Sequence, residues 1–258
     1  MYLKARLTGF CGLLLLVLCS NQTIAKPTKT SVLKQQKRYS RVRQAHKNKY
    51  EALKSKFARA GIPFPPTAIF LRAFKQEKQL ELWVQDSNRK MKRLESYPVC
   101  GVSGVLGPKR QEGDGQIPEG VYYIDRLNPV SQFHLSLGLN YPNASDRKFG
   151  HPKTPGSDIF IHGDCVSIGC LAMTDELIEE IYLSVIYAKN AGQKKVPVHI
   201  YPFRFQSGAK AVTELENRAE QYGVESWLWK NLYEVFVSFE ENRKLPKTKI
   251  VRGRYRPQ

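Results

Sequence analysis

Between residues 68 and 162 the chain consists of short apolar or aromatic segments, each bounded by Gly, Pro, Asn or charged residues. Such segments predict β-strands, because their side chains suit a pleated, partly buried surface. The predicted strands span residues 68–74, 79–85, 94–102, 120–125, 134–139 and 158–162. Their close succession predicts a sandwich or barrel and not a parallel sheet with intervening helices.

Helices are predicted around this β-rich region. The clearest spans residues 174–190, where apolar residues form one stripe and acidic residues occupy the first turn. Apolar periodicity also predicts helices at 39–60, 209–222 and 225–242, and a strand at 196–201. The predicted fold is α+β: a mostly β, sandwich-like domain at 66–204 with one helix, a basic helical N-terminal extension at 26–65 (its lead, 26–38, flexible), and a helical C-terminal extension with a basic tail at 205–258.

The first 25 residues have the three parts of a secretory signal peptide. Lys4 and Arg6 precede an apolar run at 9–18, and small or tolerated residues end at Ala25. A lipoprotein signal at Cys19 is the alternative, but Leu18 stands where a small residue is needed. We therefore expect an exported protein of the periplasm or cell envelope, cleaved after Ala25.

The formal net charge of +18 comes from the two ends of the chain. Residues 26–60 carry twelve basic side chains and one acidic, and residues 243–256 carry seven basic and none acidic. An exported protein rarely meets nucleic acid, so anionic envelope polymers or lipid headgroups are the expected partners of these ends. Simple solubilising tails are the alternative.

Three cysteines remain after cleavage: Cys100, Cys165 and Cys170. An odd number in an oxidising compartment leaves at least one thiol without an intramolecular partner. We expect a free Cys170 and a small, buried Cys165. The alternatives are a Cys165–Cys170 disulfide with an inert Cys100, or a zinc site with His162; the spacing does not match familiar zinc motifs. No metal or organic cofactor is predicted.

Residues 161–171 place His162 eight positions before Cys170, in a glycine-punctuated loop between a strand and a helix. A histidine beside a thiol can remove its proton, and the thiolate then attacks a carbonyl. Gly169 permits a sharp turn next to the thiol. His199, later in the chain, is the alternative base.

The segments Ile161-His-Gly163 and Ser167-Ile-Gly-Cys170 together resemble the signature of the YkuD-type L,D-transpeptidases, which act on peptidoglycan stem peptides. The segment 106–124 is similar to the Thr-Pro-x-Gly element of that family, with Ile117 in place of threonine. The pieces Asn128-Pro129, His134-Leu-Ser, Tyr141-Pro-Asn143 and 172–175 resemble its YafK-like branch. The resemblance covers roughly residues 66–204.

The resemblance implies that Cys170 attacks a stem-peptide carbonyl at a diaminopimelate or lysine centre, forms a thioester and releases D-alanine. It assigns proton transfer to His162, orientation of that histidine to the Gly163 step, and loop support to Ser167. Backbone N–H groups at Gly169 and Cys170 are the expected oxyanion donors.

Within the same resemblance, His134 and Tyr141 are candidate substrate contacts. Two departures leave the acyl acceptor open between an amine and water: the loop before Cys170 is short, and Ala172 replaces an arginine common in the family. The alternatives are a hydrolase that trims stems or releases a peptidoglycan-linked outer-membrane lipoprotein, and a non-catalytic wall-binding protein.

Overall fold

The computed structural model describes Met1 and residues 31–206, 208 and 210–258. Apart from Met1, the predicted signal peptide at 1–25 lies outside the described residues. The helices are α1 (Val32–Gln36), α2 (Ser40–Arg59), α3 (Ala144–Phe149), α4 (Asp175–Asn190), α5 (Ala211–Gln221) and α6 (Ser226–Asn242). The strands are β1 (Ile69–Phe74), β2 (Gln79–Gln85), β3 (Met91–Pro98), β4 (Gly120–Asn128), β5 (Ser136–Leu139), β6 (Phe160–His162), β7 (Leu171–Ala172), β8 (Pro197–Tyr201), β9 (Thr248–Val251) and β10 (Arg254–Pro257).

Eight strands form one curled sheet in the order β3-β2-β1-β8-β4-β5-β6-β7. The pairs β1–β8 and β6–β7 are parallel, and the other neighbours are antiparallel. At the β7 end of this order His162 ends β6, and Cys170 immediately precedes β7. The α+β class, with a helix after Cys170 and helices at both ends, is confirmed.

Strand β1 is buried on both of its faces. Ile69 and Leu71 join the main core with residues of α2 and α4. Phe70 and Phe74 point to the other face, where they contact the aromatic residues Phe239 and Phe236 of α6. The burial of all six residues of β1, including Arg72, which pairs with buried Glu81, reflects its position between two helical layers.

Helix α4 begins at a regular N-cap, since the Thr174 side chain accepts a hydrogen bond from the Leu177 N–H. Asp175 and Glu176 occupy its first turn and Lys189 its last, which matches the helix dipole. Its apolar face packs on the sheet and on α2. The element therefore forms as its sequence pattern predicts.

The expectation of a flexible lead is wrong where the structure describes it, and the basic tail is folded. Within the predicted flexible lead at 26–38, residues 32–36 form α1, and the Tyr182 hydroxyl donates to the buried Gln36. The predicted basic tail contains the hairpin β9–β10, in which Tyr255 is fully buried. Basic side chains there alternate with inward-facing apolar ones, a period-2 pattern that the charge count conceals.

The predicted strand at 94–102 also starts earlier and ends at Pro98. No helix among the described residues is long and apolar enough to cross a membrane.

Candidate active site

His162 is the last residue of β6 and is 3% exposed. Its Nδ1–H donates to the Gly163 carbonyl oxygen at 2.5 Å, which leaves Nε2 as the proton-accepting nitrogen. The Phe133 ring packs on the imidazole with 4.8 Å between centroids. Burial lowers the pKa of His162, so the imidazole is neutral and able to accept a proton at neutral pH.

Cys170 directly precedes β7, the strand that pairs in parallel with β6. In the β6–β7 register Ile161 faces Leu171 and His162 faces Ala172, so Cys170 lies beside Phe160. Ile161 and Leu171 point into the core, and His162 and Cys170 therefore share the opposite face. The predicted base and nucleophile therefore lie on one face of the sheet, two register positions apart.

The Cys170 thiol is held by the backbone around it. The Phe160 N–H donates to Sγ at 3.4 Å, and Sγ lies 3.8 Å from the Asp158 carbonyl oxygen. Burial raises the pKa of Cys170, and the Asp158 carboxylate adds to this. The thiol is therefore protonated at neutral pH, and any chemistry through its thiolate would need a base.

Serine hydroxyls brace the loop between the two residues. Ser167 Oγ accepts from the Cys170 N–H at 2.9 Å and donates to the Cys170 carbonyl at 2.7 Å. Ser103 Oγ accepts from the Gly169 N–H at 2.6 Å. Both predicted oxyanion donors are thus already hydrogen-bonded, and they can serve a tetrahedral intermediate only if these hydroxyls release them.

Gly163 is required by its close neighbours. A Cβ at this position would lie 2.4 Å from Asp175 Oδ1 and 3.0 Å from His134 Cβ. The Gly163 N–H donates to the Phe133 carbonyl at 3.1 Å. Gly169 has a φ of +104°, a conformation that favours glycine.

A disulfide joins Cys100 to Cys165, and Cys170 is the free cysteine of the described residues. The expectation of a small, buried Cys165 is therefore wrong, and so is the alternative of a Cys165–Cys170 bond. Both bridged cysteines are exposed. The bond ties the loop between His162 and Cys170 to the segment after β3.

The two candidate substrate contacts have other partners. His134 Nε2 lies 3.1 Å from Glu179 Oε1, on the first turns of α4. Tyr141 is 6% exposed, and its hydroxyl donates to the Pro155 carbonyl at 2.6 Å. Burial leaves Tyr141 little surface for a substrate, so in this structure it braces a loop.

The alternative base His199 is wrong: it is fully buried on β8, packed on Phe70, with its Nδ1 3.0 Å from the Tyr201 hydroxyl. Sequence reasoning missed Phe133 and Ser103, because their contacts with the motif depend on long-range pairing.

In the described part of the chain, no group of three or more His, Cys, Asp or Glu side chains could hold a metal ion.

The C-terminal helix supports the site indirectly. Buried Glu119 accepts from Lys75 Nζ, the Gly107 N–H and Trp229 Nε1 of α6, at 2.7–2.9 Å. These bonds fix both ends of the 107–119 segment. The Gln116 carbonyl of this segment would lie 3.1 Å from a Cβ at Gly169, which places the segment against the nucleophile loop.

Residues 71–200 match the family model of the YkuD L,D-transpeptidase catalytic domain. The chain is 39% identical over 189 residues to YafK of Escherichia coli (strain K12), a proposed L,D-transpeptidase, covering 72% of each chain. The chain therefore belongs to the YkuD-type L,D-transpeptidase family, and its resemblance to YafK is confirmed.

Solved structures give more distant similarities. The helical cell shape determining protein Pgp2 of Campylobacter jejuni aligns with a TM-score of 0.43 and 18% identity, over 72% of this chain and 64% of that chain. Bd1075 of Bdellovibrio bacteriovorus aligns with a TM-score of 0.39 and 17% identity, over 66% and 59% of the two chains. This chain thus spans less than two thirds of either structure.

Proposed function

We propose that the protein is an exported cysteine acyltransferase that acts on peptidoglycan stem peptides through a thioester on Cys170. The observation that carries the proposal is that His162, at the end of β6, and Cys170, directly before the adjacent β7, face the same side, with Nδ1 bonded to the Gly163 carbonyl. Family membership supports peptidoglycan as the substrate class.

In the proposed reaction His162 Nε2 takes the thiol proton while Sγ attacks the carbonyl carbon of the stem amide. The C–N bond then breaks, and the imidazolium returns its proton to the departing amine. An acceptor amine or water next loses a proton to Nε2 and attacks the thioester, and the released sulfur is reprotonated. Gly163 holds the imidazole tautomer, and Ser167 holds the loop.

A carbapenem tests the nucleophile, because its strained amide acylates reactive thiols. The purified protein is expected to gain the mass of one drug molecule, and Cys170→Ala none. The matched control is the double variant Cys100→Ala/Cys165→Ala, which keeps Cys170 and should keep the adduct. An adduct on Cys170→Ala, or none on the unaltered protein, would contradict the assignment.

The group that accepts the acyl chain from Cys170 is either an amine or water. We favour transfer to an amine of a neighbouring stem; hydrolysis is the alternative, because Ala172 is fully buried and presents no cation to orient a substrate. Muropeptides from cells with and without the protein distinguish the two. Loss of 3→3 cross-links in the deletion supports transfer, and accumulation of lipoprotein-linked stems supports hydrolysis. An unchanged profile contradicts both and favours a wall-binding protein.

The proposed location is the periplasm or cell envelope, and the proposed partners include anionic surfaces that contact the basic ends. Some of these basic residues instead hold the protein together. Lys56 Nζ pairs with Glu95 Oε2 at 2.6 Å, and Arg41 donates to the Ser131 and His134 carbonyls. The remaining exposed lysines of α2 are the better candidates for such contacts.

A further inference from the structure

A row of residues runs across the adjacent strands β4, β5 and β6 and ends at the Cys170 thiol. Arg126 of β4 faces Gly138 of β5, and Gly138 faces Phe160 of β6. The Phe160 N–H donates to Cys170 Sγ at 3.4 Å. Because facing residues of neighbouring strands project from the same side of a sheet, Arg126 shares a face with Cys170.

The absence of a side chain at Gly138 leaves space for the Arg126 side chain to cross β5. A Cβ at Gly138 would lie 2.8 Å from Arg126 Nε and 3.0 Å from Arg126 Cβ. Without that Cβ the guanidinium reaches over β5 to the Phe160 ring, 4.9 Å from its centroid. One strand spacing, about 4.8 Å, separates Phe160 from the Cys170 strand.

Beside the Phe160 ring, the Arg126 guanidinium forms exposed ion pairs with Asp158 and Asp125. Arg126 Nη1 lies 2.8 Å from Asp158 Oδ1, and Nε lies 3.3 Å from Asp125 Oδ1. The Arg126 and Asp158 side chains are 46% and 65% exposed. Ion pairs this exposed contribute little to stability, so fold stability does not explain the pair.

Asp158 is also close to the thiol. Its carbonyl oxygen is 3.8 Å from Sγ, and its carboxylate helps to raise the pKa of Cys170. The hydrogen bond from Arg126 lowers the pKa of Asp158, so both members of the pair are charged at neutral pH. A cation and an anion thus stand side by side next to the nucleophile.

An adjacent guanidinium and carboxylate match a group that carries a carboxylate and an ammonium on one carbon. Diaminopimelate ends in such an amino-acid head, whereas the lysine side chain ends in an ammonium alone. We propose that Arg126 and Asp158 bind the zwitterionic end of the diaminopimelate side chain of the acyl donor: Arg126 its carboxylate, Asp158 its ammonium. This inference rests on the proposed function, and it makes Arg126 a specificity-determining residue.

Synthetic stem tetrapeptides with diaminopimelate or lysine at the third position test the proposal, with thioester formation and D-alanine release as readouts. The unaltered protein is expected to prefer the diaminopimelate stem about 10- to 100-fold in kcat/KM, the range of a charged hydrogen-bonded pair. Arg126→Gln should remove this preference by slowing only the diaminopimelate stem. Asp158→Asn should slow both stems by a similar factor, because both carry the ammonium.

The matched control is Arg256→Gln, since Arg256 forms a similar exposed pair with Glu234 at 3.2 Å. It should leave both rates unchanged, and the carbapenem adduct on Cys170 should form in every variant. Equal rates for the two stems, equal loss of both in Arg126→Gln, or the same loss in Arg256→Gln would overturn the proposal while the nucleophile assignment stands. Failure of both stems and of the adduct in the unaltered protein would overturn the proposed function as well.

Discussion

Replacement of His162 by asparagine is expected to slow acylation of Cys170 about 10²- to 10⁴-fold, the usual contribution of a positioned base. Asparagine can keep the donor to the Gly163 carbonyl but has no equivalent of Nε2. The remaining thiol is protonated at neutral pH, because burial raises the pKa of Cys170. The rate of carbapenem adduct formation, followed by mass spectrometry, measures the effect.

The acylation rate of the His162 variant should also depend on pH in a different way from that of the unaltered protein. Burial lowers the pKa of His162, so in the unaltered protein the base stays neutral, and the rate is retained, to a pH below the ordinary histidine range. In His162→Asn the acidic limb should vanish, and the rate should instead rise with pH as the thiolate forms. The control is His151→Asn, on an exposed loop. A His162 variant within threefold of the unaltered rate would show that another group takes the proton.

Removal of the disulfide by Cys100→Ala/Cys165→Ala is expected to lower the free energy of unfolding by about 2–5 kcal/mol. The bond joins residues 65 positions apart, so its loss frees a large loop in the unfolded chain. Urea unfolding of the double variant measures the change.

Two comparisons control the disulfide experiment. A reductant should destabilise the unaltered protein by a similar amount and leave the double variant unaffected. Cys170→Ala, which keeps the bond, should unfold near the unaltered midpoint. An unchanged midpoint in the double variant would mean that neighbouring contacts, such as the Cys100 N–H to Ala172 carbonyl bond at 2.9 Å, hold the segment by themselves.

The sequence predicts correctly those elements whose stabilising features lie within one short segment. Helix α4 has its cap, its charge bias and its apolar stripe within one segment, and β2 coincides with its predicted bounds. The two-residue strand β7 and the five-residue helix α1 are too short to show a period, and α1 packs against α4, which is distant in sequence. The hairpin β9–β10 was concealed by its basic residues.

The residues of the candidate site likewise divide into those with a local sequence signal and those without one. His162 and Cys170 stand in one motif, and the sequence could name them as a candidate pair. The disulfide partner of Cys165 could not be read from the sequence, because three cysteines allow three pairings. Ser103 lies 66 positions from Gly169, and Arg126 reaches the thiol face only through the strand register, so neither has a local signal.

The burial of β1 on both faces determines which fragments of this chain can exist alone. Residues Ser31 to Gln258 cluster as one compact unit, and α6 covers Phe70 and Phe74. A fragment ended at residue 200, the last residue of the family match, would expose an aromatic surface to water and lose the partner of Glu119. The boundary of sequence similarity is therefore not a boundary of autonomous folding, and helix α6 beyond it helps to form the protein's interior.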